Sequence, residues 1–200
     1  MIKHNCTGDI IADAESLFIA YGKQKTFTHS KAVAEANAKI AEQYGLDAKI
    51  CEIGGYLHDI SAVISPADML SYATDKGWYI DESEKEYPVL LHQRISKVIA
   101  QEDFKITDER ILSALEHHST LKANPSDYDI ALFVADKLAW QESYDIPVIQ
   151  APFYSVVSDA LKESLELASL VYMDYIVEHK MILRPHKWFE EGRAFLREKL

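Results

Sequence analysis

The sequence predicts an all-α domain, and three observations carry that prediction. Apolar residues recur at three- and four-residue spacing over most of the chain, the period of a helix with one buried face. Only 7 glycines and 6 prolines occur in 200 residues, few for a fold built on many turns. Helix start and stop residues fall at the ends of the periodic segments.

Taken in order, Ile10 to Tyr21 is amphipathic and stops at Gly22. Thr28 to Tyr44 follows, with Gly45 as its stop. Asp47 is a plausible N-cap for a helix reaching about His58. Ser65-Pro66 reads as a cap plus first-turn proline, opening a helix that ends near Gly77. The polar, acidic stretch from Trp78 to Tyr87 reads as a loop. Pro88 opens a helix through about Ile99, and Thr107-Asp108 opens one that runs to His118. Ser126 or Asp127 caps the segment through Trp140, after a polar loop from Ser119 to Pro125. Ile146 to Ile149 is the one stretch that could be a strand. A long amphipathic helix covers Phe153 to His179, and a short one follows Pro185.

A chain of this length suits a single domain, 1–200. The net charge of −11 opposes binding to a nucleic-acid backbone, while a metal site can still invert the field locally for a small phosphorylated ligand. Cys6 and Cys51 show neither metal-type spacing nor a disulfide framework. No apolar run approaches transmembrane length and the N-terminus lacks an apolar signal core, so no membrane partner and a cytoplasmic location are expected.

The chemistry is expected from histidine and aspartate. Four of eight histidines fall on inward faces: His29 with Val33 and Ile40, His58 with Gly54 and Leu57, His92 with Ile95 and Ile99, and His118 with Ile111 and Leu115. Asp59 adjoins His58. Asp136 sits inside the apolar run IALFVADKLAW, where an ionised carboxylate is costly unless paired or metal-bound. One inward histidine is more often a hydrogen-bonded core residue than a ligand. Six such groups on five helices need a common partner. Imidazole plus carboxylate without thiolate suits iron, manganese, zinc or magnesium.

His29 in FTHSKAVAE, His58-Asp59 in GGYLHDIS and Asp136 in LFVADKLAW together resemble the HD-domain family of metal-dependent phosphohydrolases. With His92 in VLLHQRIS and His118 in ALEHHSTL, the ordered set is most similar to the bacterial subfamily that hydrolyses diadenosine tetraphosphate symmetrically. The phrase KITDERILSALEHHST adds to that likeness, which spans Phe27 to Trp140. The resemblance implies a helical bundle with the metal site in its core. His29, His58, Asp59 and Asp136 would hold one divalent ion. Asp59, the residue assigned to catalysis, would bridge to a second ion on His92 and His118. Iron is the metal the family suggests.

The implied activity is hydrolysis of a nucleotide or dinucleoside polyphosphate by metal-activated water. A phosphomonoesterase, an oxygen-dependent enzyme on the same scaffold, and a regulatory module that binds nucleotide without turnover stay open, as does a homodimer. Helical phase and motif alignment favour His118 over His117 as the ligand, leaving His117 to line the pocket. Lys137 and Arg94 are candidates for phosphate oxygens, although Arg94 reads equally well as a solvated helix face. Tyr56, Trp78, His117 and Trp140 are candidates for stacking a base.

The chain departs from the subfamily after its paired His-Asp (HDISAVIS, no lysine), after the fourth histidine (no threonine-glycine turn) and after the last aspartate (DKLAWQES, no proline and arginine). These groups belong near the substrate, so the metal chemistry carries over better than the substrate, and a nucleoside mono- or diphosphate competes with the tetraphosphate.

Overall fold

The computed structural model describes residues 7–143 and 152–200, and they are helical with no strand among them. The helices are α1 (Ile10–Ala20), α2 (Gln24–Tyr44), α3 (Ala48–Leu57), α4 (Pro66–Asp75), α5 (Glu82–Glu86), α6 (His92–Glu102), α7 (Glu109–His117), α8 (Asp127–Ser143), α9 (Pro152–Leu161), α10 (Leu165–Glu178) and α11 (Lys187–Lys199). Two 3₁₀ turns, Ile60–Val63 and Pro88–Leu91, sit between α3 and α4 and between α5 and α6.

The caps follow local chemistry. Asp9, Asp47 and Asp108 accept from the free amides at the starts of α1, α3 and α7. Gly45 ends α2 at φ 68°, a conformation that glycine adopts without steric cost.

Three helix expectations are corrected. The stretch read as a loop from Trp78 to Tyr87 contains α5, because Asp81 and Glu84 form a reciprocal capping box that satisfies its first amides. The helix expected over Phe153 to His179 is broken in two at Ser164, whose hydroxyl caps α10 through the Leu167 amide. Pro88 opens a 3₁₀ turn, and α6 proper begins at His92. In addition α2 starts at Gln24, a turn before Thr28. Ile146 to Ile149 and the side chain of Trp140 lie outside the described residues.

Helix α2 packs along both α3 and α8, with α6 and α7 closing one side and α9 to α11 the other. The α2–α3 contact is unusually close at Gly55: a Cβ there would lie 2.3 Å from the Cα of Ala34. That approach brings His29 on α2 within reach of His58 at the end of α3. Fully buried Phe18, Leu57, Ile95, Leu115 and Phe133 tie these helices into one core. No described helix is long and apolar enough to cross a membrane.

Candidate metal centre

Three of the inward histidines share one local device. His58 Nδ1 lies 2.8 Å from the Gly55 carbonyl, His92 Nδ1 2.6 Å from that of Val89, and His118 Nδ1 2.8 Å from that of Leu115. Each carbonyl is three residues back, and each histidine closes a helical element: α3, the second 3₁₀ turn and α7. A carbonyl only accepts, so Nδ1 carries the proton and donates it, and Nε2 turns toward the interior as a donor to a cation. The end of a helix has carbonyls without intrahelical partners, which is why such a histidine is held there.

The three Nε2 atoms converge with two carboxylates. His58 Nε2 is buried without a hydrogen bond, 3.4 Å from Asp59 Oδ2 and 3.6 Å from Asp136 Oδ1. His92 and His118 bring their Nε2 atoms to 2.9 Å of one another. With both Nδ1 atoms donating, that contact sets lone pair against lone pair, and a cation relieves it. Asp59 Oδ1 is 3.5 Å from His92 Nε2 and 3.8 Å from His118 Nε2, so this carboxylate faces three histidines. His29 Nε2 lies 3.0 Å from Asp136 Oδ1.

Ligand atoms fall into three overlapping sets, each within 4.8 Å: His29, His58 and Asp59; His58, His118 and Asp136; and Asp59, His92 and His118. The donor chemistry, nitrogen and oxygen without sulfur, fits one or two divalent ions of the first transition row.

The electrostatics agree with that fit. Burial and the neighbouring histidines hold His118 well below its usual range, and burial also lowers His92, so both stay neutral. Burial opposes ionisation of Asp59 and Asp136, but the histidines around Asp59 and Lys137 beside Asp136 outweigh it and keep both carboxyls ionised. Burial would lower His58 too; the Asp59 and Asp136 charges win and raise it to about 9.

The centre opens into a cavity of about 380 Å³. Asp59, His92, His118, Asp136 and Lys137 form its polar floor, and Tyr172, Ile176, Ile182 and Phe189 supply apolar wall. Lys137 is buried, with Nζ 2.5 Å from Asp136 Oδ2 and 3.1 Å from the His118 carbonyl.

The structure brings together His29, His58, Asp59, His92, His118, Asp136 and Lys137, and sets two other sequence candidates apart from them. Arg94 donates from Nη1 to the Tyr79 carbonyl (2.9 Å) and the Glu84 carboxylate (3.2 Å), and stacks over Trp78 at 4.4 Å. The reason is the fully buried Glu84, a charge that needs a partner. His117 turns away: its Nδ1 lies 2.8 Å from the Ser113 carbonyl, and its ring is 4.7 Å from that of Trp188. Of the stacking candidates, Tyr56 packs on Phe27 and Trp78 is taken by Arg94.

Residues from the C-terminal third that sequence reasoning missed complete the cavity. Tyr172 is on its wall, Arg184 is beside it and paired with Glu86 at 3.0 Å, and His186 lines it while capping α11 through the Trp188 amide. His186 reads from sequence as surface or packing. Pro185-His186 before a helix signals a cap, and nothing local signals a cavity.

Comparison with known proteins agrees with this geometry. The family model described as HD domain matches residues 26–141. An uncharacterized protein in the pepC 5′ region of Lactococcus lactis subsp. cremoris is 36% identical over 148 residues, covering 74% of this chain and 73% of that one. A symmetrical bis(5′-nucleosyl)-tetraphosphatase of Staphylococcus aureus is 28% identical over 114 residues, 56% of this chain and 58% of that protein, so the match spans less than two thirds of the tetraphosphatase. The crystal structure of a Clostridium acetobutylicum protein, described as a predicted HD superfamily hydrolase involved in NAD metabolism, superposes with a TM-score of 0.81 at 20% identity, over 94% of this chain and 97% of that one; at that identity the likeness is one of fold. The family match takes in all six clustered histidines and aspartates, and on it the chain belongs to the HD domain family.

Proposed function

We propose that this chain is a metal-dependent hydrolase of a phosphate ester or anhydride, acting on a nucleotide or similar small phosphorylated molecule. The observation that carries the reading is the cluster of inward Nε2 atoms and ionised carboxylates on the floor of a cavity whose wall is apolar and whose cations are Lys137 and Arg184. A match to proteins named as tetraphosphatases supports the phosphate-anhydride class.

His29, His58, Asp59 and Asp136 would hold one ion, and Asp59 with His92 and His118 a second, with iron the first candidate. Bound there, divalent ions lower the pKa of water toward neutrality and offset charge on phosphoryl oxygens. The chain's own groups do the rest. The Nδ1–H bonds to helix-end carbonyls keep three imidazoles fixed in orientation. Lys137 sets its Nζ at the floor, where it donates to the Asp136 carboxylate and the His118 carbonyl. Tyr172, Ile176 and Phe189 form a dry wall suited to the organic part of the substrate and to excluding bulk water. Hydrolysis then breaks one P–O bond, places the oxygen of water on phosphorus and leaves a proton with the departing group.

The test is metal analysis of the purified protein combined with a phosphate-release screen over nucleoside mono-, di- and triphosphates and diadenosine tetraphosphate. Bound transition metal and metal-dependent turnover are expected. Nucleotide binding with metal present and no turnover of any phosphate compound would move the chain to the regulatory reading.

A further inference from the structure

A second cavity, of about 270 Å³, shares Asp59, Val89 and His92 with the first. Its remaining wall comes from other parts of the fold: Lys23 and Thr26 at the start of α2, Ala62 and Ile64 after the paired His-Asp, and Pro66 and Met69 of α4. The Asp59–His92 edge of the metal centre is therefore reached from two cavities with different linings.

The charges in the two differ in one respect. In the first cavity Lys137 is answered by Asp136 and Arg184 by Glu86. Lys23, in the second, makes no ion pair with any described residue, and its hydrogen bonds run through its backbone amide and carbonyl. Lys23 is the N-cap of α2, and Thr26 and His29 follow at three-residue intervals, so the first turns of the helix that carries a candidate ligand also carry a hydroxyl and an ammonium. Both side chains are half-buried. A cation without an ion-pair partner and a hydroxyl, both lining a cavity that reaches Asp59 and His92, have the chemistry of an anion subsite in a chain of net charge −11.

We propose that Lys23 and Thr26 bind the phosphoryl group beyond the bond that is broken, with the organic end of the substrate in the first cavity and the phosphate chain crossing Asp59 and His92. The inference rests on the phosphohydrolase reading and deepens it: the preferred substrate carries phosphate on both sides of the cleaved bond.

The experiment measures kcat/KM for diadenosine tetraphosphate, adenosine triphosphate and adenosine monophosphate with one metal at fixed concentration, in the parent protein, Lys23→Ala, Lys23→Arg and Thr26→Val. Loss of one charge-assisted contact lowers kcat/KM for the two polyphosphates about tenfold in Lys23→Ala. The loss on the monophosphate is expected to be several-fold smaller, and Lys23→Arg restores most of the polyphosphate activity. Thr26→Val moves in the same sense by a smaller factor. An equal loss on all three substrates, no loss on any, or a parent protein that cleaves only the monophosphate overturns the subsite while leaving the phosphohydrolase reading intact. A parent protein that releases phosphate from none of them removes that reading, and the subsite with it.

Discussion

At the scale of single residues, the molecule separates two adjacent histidines into different jobs. His118 closes α7, gives its Nδ1 proton to Leu115 and turns Nε2 to the centre, while His117 is held by Ser113 and packs near Trp188. His118→Ala is expected to lose bound metal and turnover. His117→Ala is expected to keep the metal and to lose about 1 kcal/mol of stability with its hydrogen bond. Metal content measured on both variants checks the pair, and the opposite pattern would mean that His117 is the ligand.

His58 yields a pH dependence of definite sign. Its pKa, raised to about 9 by Asp59 and Asp136 against the effect of burial, keeps a proton on the metal-free site at neutral pH. A metal ion must displace that proton, so affinity should rise with pH up to about 9, by as much as about tenfold per pH unit, and level off above. Titration calorimetry in buffers of different ionisation heat reads the proton release. Affinity independent of pH between 6 and 8 would contradict it. In the metal-free protein the same raised pKa stabilises the fold below pH 6.5, a contribution that fades as pH rises toward 9.

At the scale of elements, the meeting of α2 and α3 controls whether His29 and His58 converge. Two neighbouring glycines allow a clean comparison. At Gly55 a Cβ would meet the Ala34 backbone nitrogen at 2.5 Å as well as its Cα, contacts that backbone cannot yield without the helices moving apart. Gly55→Ala should cost about 1–3 kcal/mol or more and weaken metal binding. At Gly54 the nearest atom to a Cβ is Leu132 Cδ2 at 3.7 Å, an ordinary contact. Gly54→Ala is therefore expected to be neutral or to stabilise the helix by about 0.5–1 kcal/mol. Thermal unfolding of the two variants, with metal content measured alongside, decides it, and equal effects would show that α3 is not pinned at Gly55.

The element scale also shows where periodicity misleads. The acidic stretch before Pro88 has no apolar stripe to mark it as helix, yet α5 forms because Asp81 and Glu84 cap it and because Glu84 is anchored by Arg94. Phe153 to His179 has an unbroken apolar pattern, yet it divides at Ser164, where a side-chain cap offers the backbone an alternative to continuing the helix. Capping geometry settled both cases, and the capping signals were in the sequence, overshadowed by composition and by pattern.

At the scale of the whole molecule, the sequence by itself determined the all-α class, most helix starts and the six histidines and aspartates that the fold gathers. A polar residue on an apolar helical face must go somewhere buried, and six of them are satisfied most simply by meeting; that logic needs no coordinates. It kept His117 out of the ligand set but left it, with Arg94, as a candidate for lining the pocket, because helical phase does not tell which neighbour a side chain off the ligand face will meet. Only the tertiary structure decided that buried Glu84 claims Arg94, that Trp188 of α11 lies beside His117, and that Tyr172, Arg184 and His186 close the cavity from far along the chain. The inward orientation of three Nε2 atoms likewise depends on carbonyls at helix ends, and the second cavity depends on α2, α4 and the second 3₁₀ turn meeting at the paired His-Asp. The physical reason is one of range: burial and periodicity act within a helix and are written in its residues, whereas the partner of a charge and the wall of a cavity are set by which helices pack together.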